Sequence, residues 1–179
     1  MNVLIPILGV LGTVSMISAA LIKGNKMKII LFLVFCGNVL SATSYLLGES
    51  GINGAASCYL GGVQAIINYF FDSKEKKIPK WLIVIYALSF VCINLLVGDY
   101  KDPLVYVAIA ATLTFVMCIG QSNGAKYRFW TLFNNALWLL YDILSESWEV
   151  LITVHIPLVI FTVVGMFMHD RKKPLMDKE

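Results

Sequence analysis

A chain of 179 residues that is 59% hydrophobic and only 14% charged, with a net charge of +3, cannot hide its apolar surface in a water-soluble core. Soluble domains carry about 25% charged residues, so the deficit, with a mean hydropathy of +0.79, points to lipid as the solvent. Seven crossings at about 20 residues each would take about 140 residues, which leaves short loops and excludes a soluble catalytic domain. The apolar stretches run, in order, over 3–22, 27–47, 53–71, 81–97, 104–120, 129–144 and 150–168. Each is bounded by charge or by Gly, Asn, Ser or Pro. A backbone in lipid must satisfy its own hydrogen bonds, so each stretch predicts a helix. Met1 and Asn2 supply no basic segment ahead of the first stretch, which is therefore expected to stay as a helix rather than be cleaved. The sixth stretch is the shortest and most polar, with Asn134, Asn135 and Asp142.

Charge placement supports that sixth helix. With the N-terminus outside, the inner loops hold Lys23, Lys26 and Lys28, then Lys74, Lys76, Lys77 and Lys80, then Lys126 and Arg128. The tail adds Arg171, Lys172, Lys173 and Lys178, so that every basic residue but Lys101 falls on one side. Glu49, Asp99, Asp102, Glu146 and Glu149 fall on the other. This is the positive-inside distribution of seven spans with the C-terminus in the cytoplasm. Without the sixth span the basic tail would lie outside. The basic loops read most simply as orientation signals. Trp81, Trp130, Trp148 and Tyr127 stand near span ends, where interfacial aromatic anchors belong. Cys36, Cys58, Cys92 and Cys118 lie inside apolar stretches without a metal-type spacing and read as small core residues.

The chain also repeats itself. Gly24, Lys26 and Lys28 recur as Gly124, Lys126 and Arg128; Asn38 and Leu40 with Glu49 and Ser50 recur as Asn135 and Leu137 with Glu146 and Ser147; Asp72 and Lys74 recur as Asp170 and Lys172. The matches keep their order at a nearly constant interval of about 100 residues, as an internal duplication does. A three-helix unit ends on the side opposite to where it began, so one intervening span makes two such units parallel, an established transporter plan. The expected organisation is a first three-helix repeat over 3–71, a linker transmembrane helix over 81–97, a second three-helix repeat over 104–168 and a charged cytoplasmic tail over 169–179. The linker's one strongly polar side chain is Asn94, near its outer end, which suits a peripheral helix.

This all-α, 3+1+3 pattern resembles the SWEET, PQ-loop and PnuC-type transporter superfamily, and more closely the YgjV-type bacterial inner-membrane proteins. The likeness covers nearly the whole chain. It rests on the short loops, on Lys26 and Lys28 after the first span, on Gly54, Ala55, Ala56 and Ser57 opening the third, and on Asn135, Trp138, Tyr141 and Asp142 in the sixth. A Pro-Gln dipeptide is absent: Pro6 precedes Ile7 and Pro157 precedes Leu158. The resemblance implies facilitated movement of a small polar metabolite across a bacterial inner membrane.

Polar groups inside a membrane are costly and mark interior surfaces. Ser57, Gly61, Gln64 and Asn68 share one face of the third span, and their counterparts in the last are His155, Val159, Thr162 and Met166. These read equally as a lined pathway or as helix-packing polar contacts. Asn38, Ser41 and Tyr45 share a face of the second span; Asn134, Asn135, Trp138, Tyr141 and Asp142 share a broad face of the sixth. Amides from both halves suit the hydroxyls or ring nitrogens of a solute, and Trp138 and Tyr141 suit stacking on a sugar or heterocycle. Asn38, Asn135, Gln64, Asn68, Trp138 and Tyr141 are thus the candidate substrate contacts.

Asp142, His155 and Tyr45 are the candidate outer gate or proton site. Asp142 and His155 can meet across the turn 145–149 as a proton relay. The simpler reading, with Asp142 solvated at headgroup level and His155 bonded to some neighbour, is preferred on sequence alone. Pro6 and Pro157 are hinge candidates, and Gly9 and Gly12 suit close helix packing.

No P-loop, zincin or nucleophile-elbow motif is present, so the expectation is no enzyme, no catalytic residue, no cofactor and no metal. The expected activity is a transporter or facilitator of a sugar, nucleoside or vitamin precursor through a mid-membrane site between the repeats. The alternative is a receptor or accessory subunit that binds a ligand or protein without moving it; an enzyme acting on lipid or polyprenyl substrates ranks last. The expected partners are the bilayer and a small-molecule substrate, with self-association open and no nucleic acid.

Overall fold

The computed structural model describes residues 4–47 and 52–170, and their regular structure is entirely helical. The helices are α1 (Leu4–Leu21), α2 (Met27–Leu47), α3 (Ile52–Ser73), α4 (Lys80–Val97), α5 (Pro103–Ile119), α6 (Gly124–Leu144) and α7 (Trp148–His169). Glu49, Ser50 and the basic tail residues Arg171, Lys172, Lys173 and Lys178 lie outside the described residues.

By length and composition, α1, α2, α4 and α7 can each cross a bilayer. The α5 helix is slightly short at 17 residues. The α3 and α6 helices have the length, 22 and 21 residues, but are less apolar because each carries polar side chains at helical spacing. Local chemistry sets several starts. Asp102 caps α5 by accepting from Leu104 N at 2.9 Å, with Pro103 in the first turn, where a missing N–H costs nothing. Asn123 caps α6 by accepting from Ala125 N at 2.8 Å. That cap corrects the sequence reading, which began the sixth helix at 129 because Lys126 and Arg128 are charged. The helix runs on through both, since Arg128 is buried against partners of its own.

The α2 helix lies between α1 and α3, and α6 lies between α5 and α7. The two trios meet along two seams, α1 on α7 and α3 on α5, while α4 packs outside against α3 and α5. Small and hydroxyl residues bring α1 and α2 together: Gly12 backs onto Gly37 and Ser41, Ser15 donates to Leu33 O and Ser44 to Ile5 O, each at 2.8 Å. Lipid is as apolar as a leucine side chain, so close packing and polar bonds, more than water exclusion, hold such helices together. Ser41 thus packs against α1 at Gly12.

A buried cluster of Ala19, Met27, Ile30, Leu31, Val34, Ala65, Cys118, Ile119 and Tyr127 draws on both trios. The α4 helix buries Leu82, Tyr86 and Phe90 and exposes Val84, Ile85, Leu88 and Leu96, an outer face suited to lipid. One end of the bundle is basic. There the α1–α2 loop meets the start of α6 backbone to backbone: Gly124 N donates to Gly24 O at 3.1 Å, and a Cβ on Gly124 would collide with Gly24 Cα. The α7 helix finishes at the same end, where His169 Nε2 donates to Leu21 O at 2.9 Å.

Candidate functional site

At the end opposite the basic loops, α6 and α7 converge on a carboxylate. Asp142, in the last turn of α6, is 3% exposed, and its Oδ2 lies 2.5 Å from His155 Nδ1. An ionised carboxylate only accepts, so Nδ1 carries the shared proton. The preferred sequence reading, a solvated Asp142, is therefore corrected: the α6–α7 turn folds α7 back so that the two side chains meet below the surface. A π-helical stretch over Leu151–His155, immediately before Ile156 and Pro157, leads into the helix there. Proline supplies no N–H to the preceding turn, and the wider π turn sets the position of His155 on its helix.

Aromatic rings surround the pair. Trp138 stacks on the imidazole of His155, with centroids 6.0 Å apart and planes 3° from parallel, and Tyr141 meets Trp138 edge-on at 5.5 Å. Tyr45 arrives from the first trio. Its ring packs over Gly54 of α3, and its hydroxyl lies within electrostatic range of Cys58, Asp142 and Tyr141. Tyr45 and Asp142 are separated by the same interval in sequence as Asn38 and Asn135. Asp142 Oδ1, His155 Nε2 and the hydroxyls of Tyr45 and Tyr141 make no hydrogen bond among the described residues.

Deeper in the bundle the predicted amides divide into those already bonded and those left open. Asn68 is fully used: its Nδ2 donates to Ile119 O at 3.0 Å and its Oδ1 accepts from Tyr86 at 3.2 Å, tying α3 to α5 and α4. Asn134 donates to Ala111 O on α5 at 2.6 Å. Asn38 donates to Val34 O within its own helix, and its Oδ1 rests against the bare Cα of Gly61. No hydrogen bond joins Asn38 to Asn135. Asn135 is 3% exposed and its amide is unbonded among the described residues. Gln64 is the extreme: 0% exposed, with neither Nε2 nor Oε1 hydrogen-bonded. It lies between Gly61 and Asn68 on the α3 face turned toward α2 and α5. A shallow groove of about 270 Å³ lies elsewhere, on the outer face of α1 at Pro6, Ile7, Val10 and Leu11.

The residue that sequence reasoning passed over is Arg128. Taken as an orientation signal, it is 0% exposed. Its guanidinium grips both oxygens of Asp170, with Nε to Oδ2 at 2.8 Å, and Nη1 donates to Ile22 O at 2.7 Å and to Ala20 O at 3.5 Å. One side chain thus ties α6 to the end of α7 and to the unpaired carbonyls that finish α1. A signal was present: Asp170 is an acid beside a run of basic residues.

Together these features define an all-helical membrane protein with polar groups turned inward and apolar side chains outward. The model of a family described as Imp-YgjV, bacterial inner membrane protein, matches residues 3–173, and the chain belongs to that family. No curated protein and no solved structure matches it.

Proposed function

We propose that the protein is a transporter or facilitator of a small polar solute, built as two parallel three-helix repeats around a shared interior and crossing the membrane seven times. The paired seams support the repeat, since exchanging α1, α2 and α3 for α5, α6 and α7 turns the α1–α7 contact into α5–α3. So does the meeting of Gly24 with its counterpart Gly124, because residues related by a twofold axis touch each other only on it. On this SWEET-like plan the basic end faces the cytoplasm, the N-terminus lies outside, and the chain performs no covalent chemistry.

The observation that carries the reading is Gln64. A buried amide left without partners costs about 1–3 kcal/mol in a protein interior, and polar helix residues usually find neighbours to bond. A passing solute would supply the missing bonds, with Asn135 and Asn38 as further contacts and Asn68 as a support of the wall. The test is a thermal-shift screen of purified protein against sugars, nucleosides and vitamins, followed by flux of each stabilising solute into proteoliposomes. Gln64→Leu and Asn135→Ala are expected to abolish flux while still folding, Asn135→Ala melting near the wild-type temperature and Gln64→Leu a few degrees above it. Flux equal to wild type in both removes the site. Binding without flux favours the receptor reading, and two chain ends tagged in one compartment refute seven crossings.

A further inference from the structure

Resting on that reading, the cluster around Asp142 narrows the solute to a charge class. Asp142 is the one buried carboxylate among the described residues. The groups that face it are His155 from α7, Tyr141 from its own helix and Tyr45 from α2, while Cys58 of α3 acts on Tyr45 and Asp102 at the start of α5 acts on Tyr141. Glu146 and Glu149 of the adjoining turn are exposed, and Lys101, the basic residue of that end, sits over the Tyr100 ring. None of these but His155 can supply a positive charge to Asp142. When the imidazole is neutral, the carboxylate is left buried without a cation, which is strongly unfavourable. Its Oδ1 is unbonded among the described residues, and three aromatic residues stand around the pair: Trp138 on the His155 ring, Tyr141 edge-on to Trp138, and Tyr45 within electrostatic range of Asp142. Aromatic residues attract organic cations.

We propose that Asp142, set among Trp138, Tyr141 and Tyr45, binds a monovalent organic ammonium ion in competition with the proton on His155. Each ammonium ion taken up releases one proton from the imidazole, so the charge of the site does not change. Cation uptake and proton release are thereby linked, so one proton released per cation bound raises affinity with pH by up to about tenfold per unit.

The test measures melting temperatures of the purified full chain with choline, with methylammonium, and with 3,3-dimethylbutan-1-ol, the neutral isostere of choline. At about pH 8 an ammonium ion is expected to stabilise the wild type, at about pH 5 much less, as proton competition through a histidine requires. The neutral alcohol should do nothing. Asp142→Asn should abolish the effect at both pH values, and His155→Gln should keep the binding while removing its pH dependence. If Asp142→Asn does not fold, the His155→Gln result decides. The proposal is overturned by equal stabilisation with the neutral alcohol, by a cation effect independent of pH in the wild type, or by no stabilisation with either ammonium ion. A neutral solute transported undiminished by Asp142→Asn overturns it while leaving the transport reading standing; absence of flux for every solute overturns that reading instead.

Discussion

Each end of the bundle is clasped by one acid and one base, yet the two clasps differ in kind. At the basic end Arg128 holds Asp170, the carbonyl of Ala20 in α1 and that of Ile22 just beyond it, and a guanidinium keeps its charge at every ordinary pH. At the opposite end His155 holds Asp142 alone, and an imidazole gains or loses its proton near neutrality. The Arg128 clasp is further locked by glycine contacts, Gly124 on Gly24 and Gly165 on Ala20 O. The His155 clasp is ringed by aromatics with open hydroxyls. Buried charge therefore fastens one end and makes the other responsive.

The largest test of that contrast is Arg128→Met. It strips Asp170 of its cation and leaves those two carbonyls unpaired, an expected loss of about 3–5 kcal/mol, read as thermal or detergent-induced unfolding of purified protein and unchanged between acid and neutral pH. Arg128→Lys should restore only part, because an ammonium cannot fork across a carboxylate. At the other end, Asp142→Asn should cost about 1.5–3 kcal/mol, because it removes the carboxylate from the His155 hydrogen bond; no loss of melting temperature would mean that this clasp does not hold α6 to α7. Gly165→Ala sharpens the comparison at the basic end, since its new Cβ would press into the backbone carbonyl of Ala20. About 1–3 kcal/mol is expected, and no loss would mean that α7 and α1 are held by charge alone. The smallest effect has the opposite sign. Gln64→Leu removes two unbonded polar atoms and should raise unliganded stability by about 1 kcal/mol, measured as melting temperature.

The helices themselves were readable in the chain, because lipid enforces one rule on every crossing: an uninterrupted apolar run that bonds to itself. The boundaries of α2 follow from composition alone, and those of α4 and α7 nearly so. The start of α6 did not, because a charged side chain in sequence looks like the edge of the membrane unless its partner is known, and the partner of Arg128 lies 42 residues away. The short turn makes a meeting of Asp142 with His155 feasible, but sequence spacing does not reveal which way a helix is rotated, and only the fold brings the two together.

What the amino-acid order determined by itself was the lipid environment and the number of helices. Tertiary structure alone decided which polar groups are spent. Asn68 and Asn134 share their residue type with Asn135, yet the first two find carbonyls on α5 and the third finds none. Hydrogen-bond satisfaction between helices depends on rotation and on which neighbour stands within about 3 Å, and neither quantity is written in a linear string.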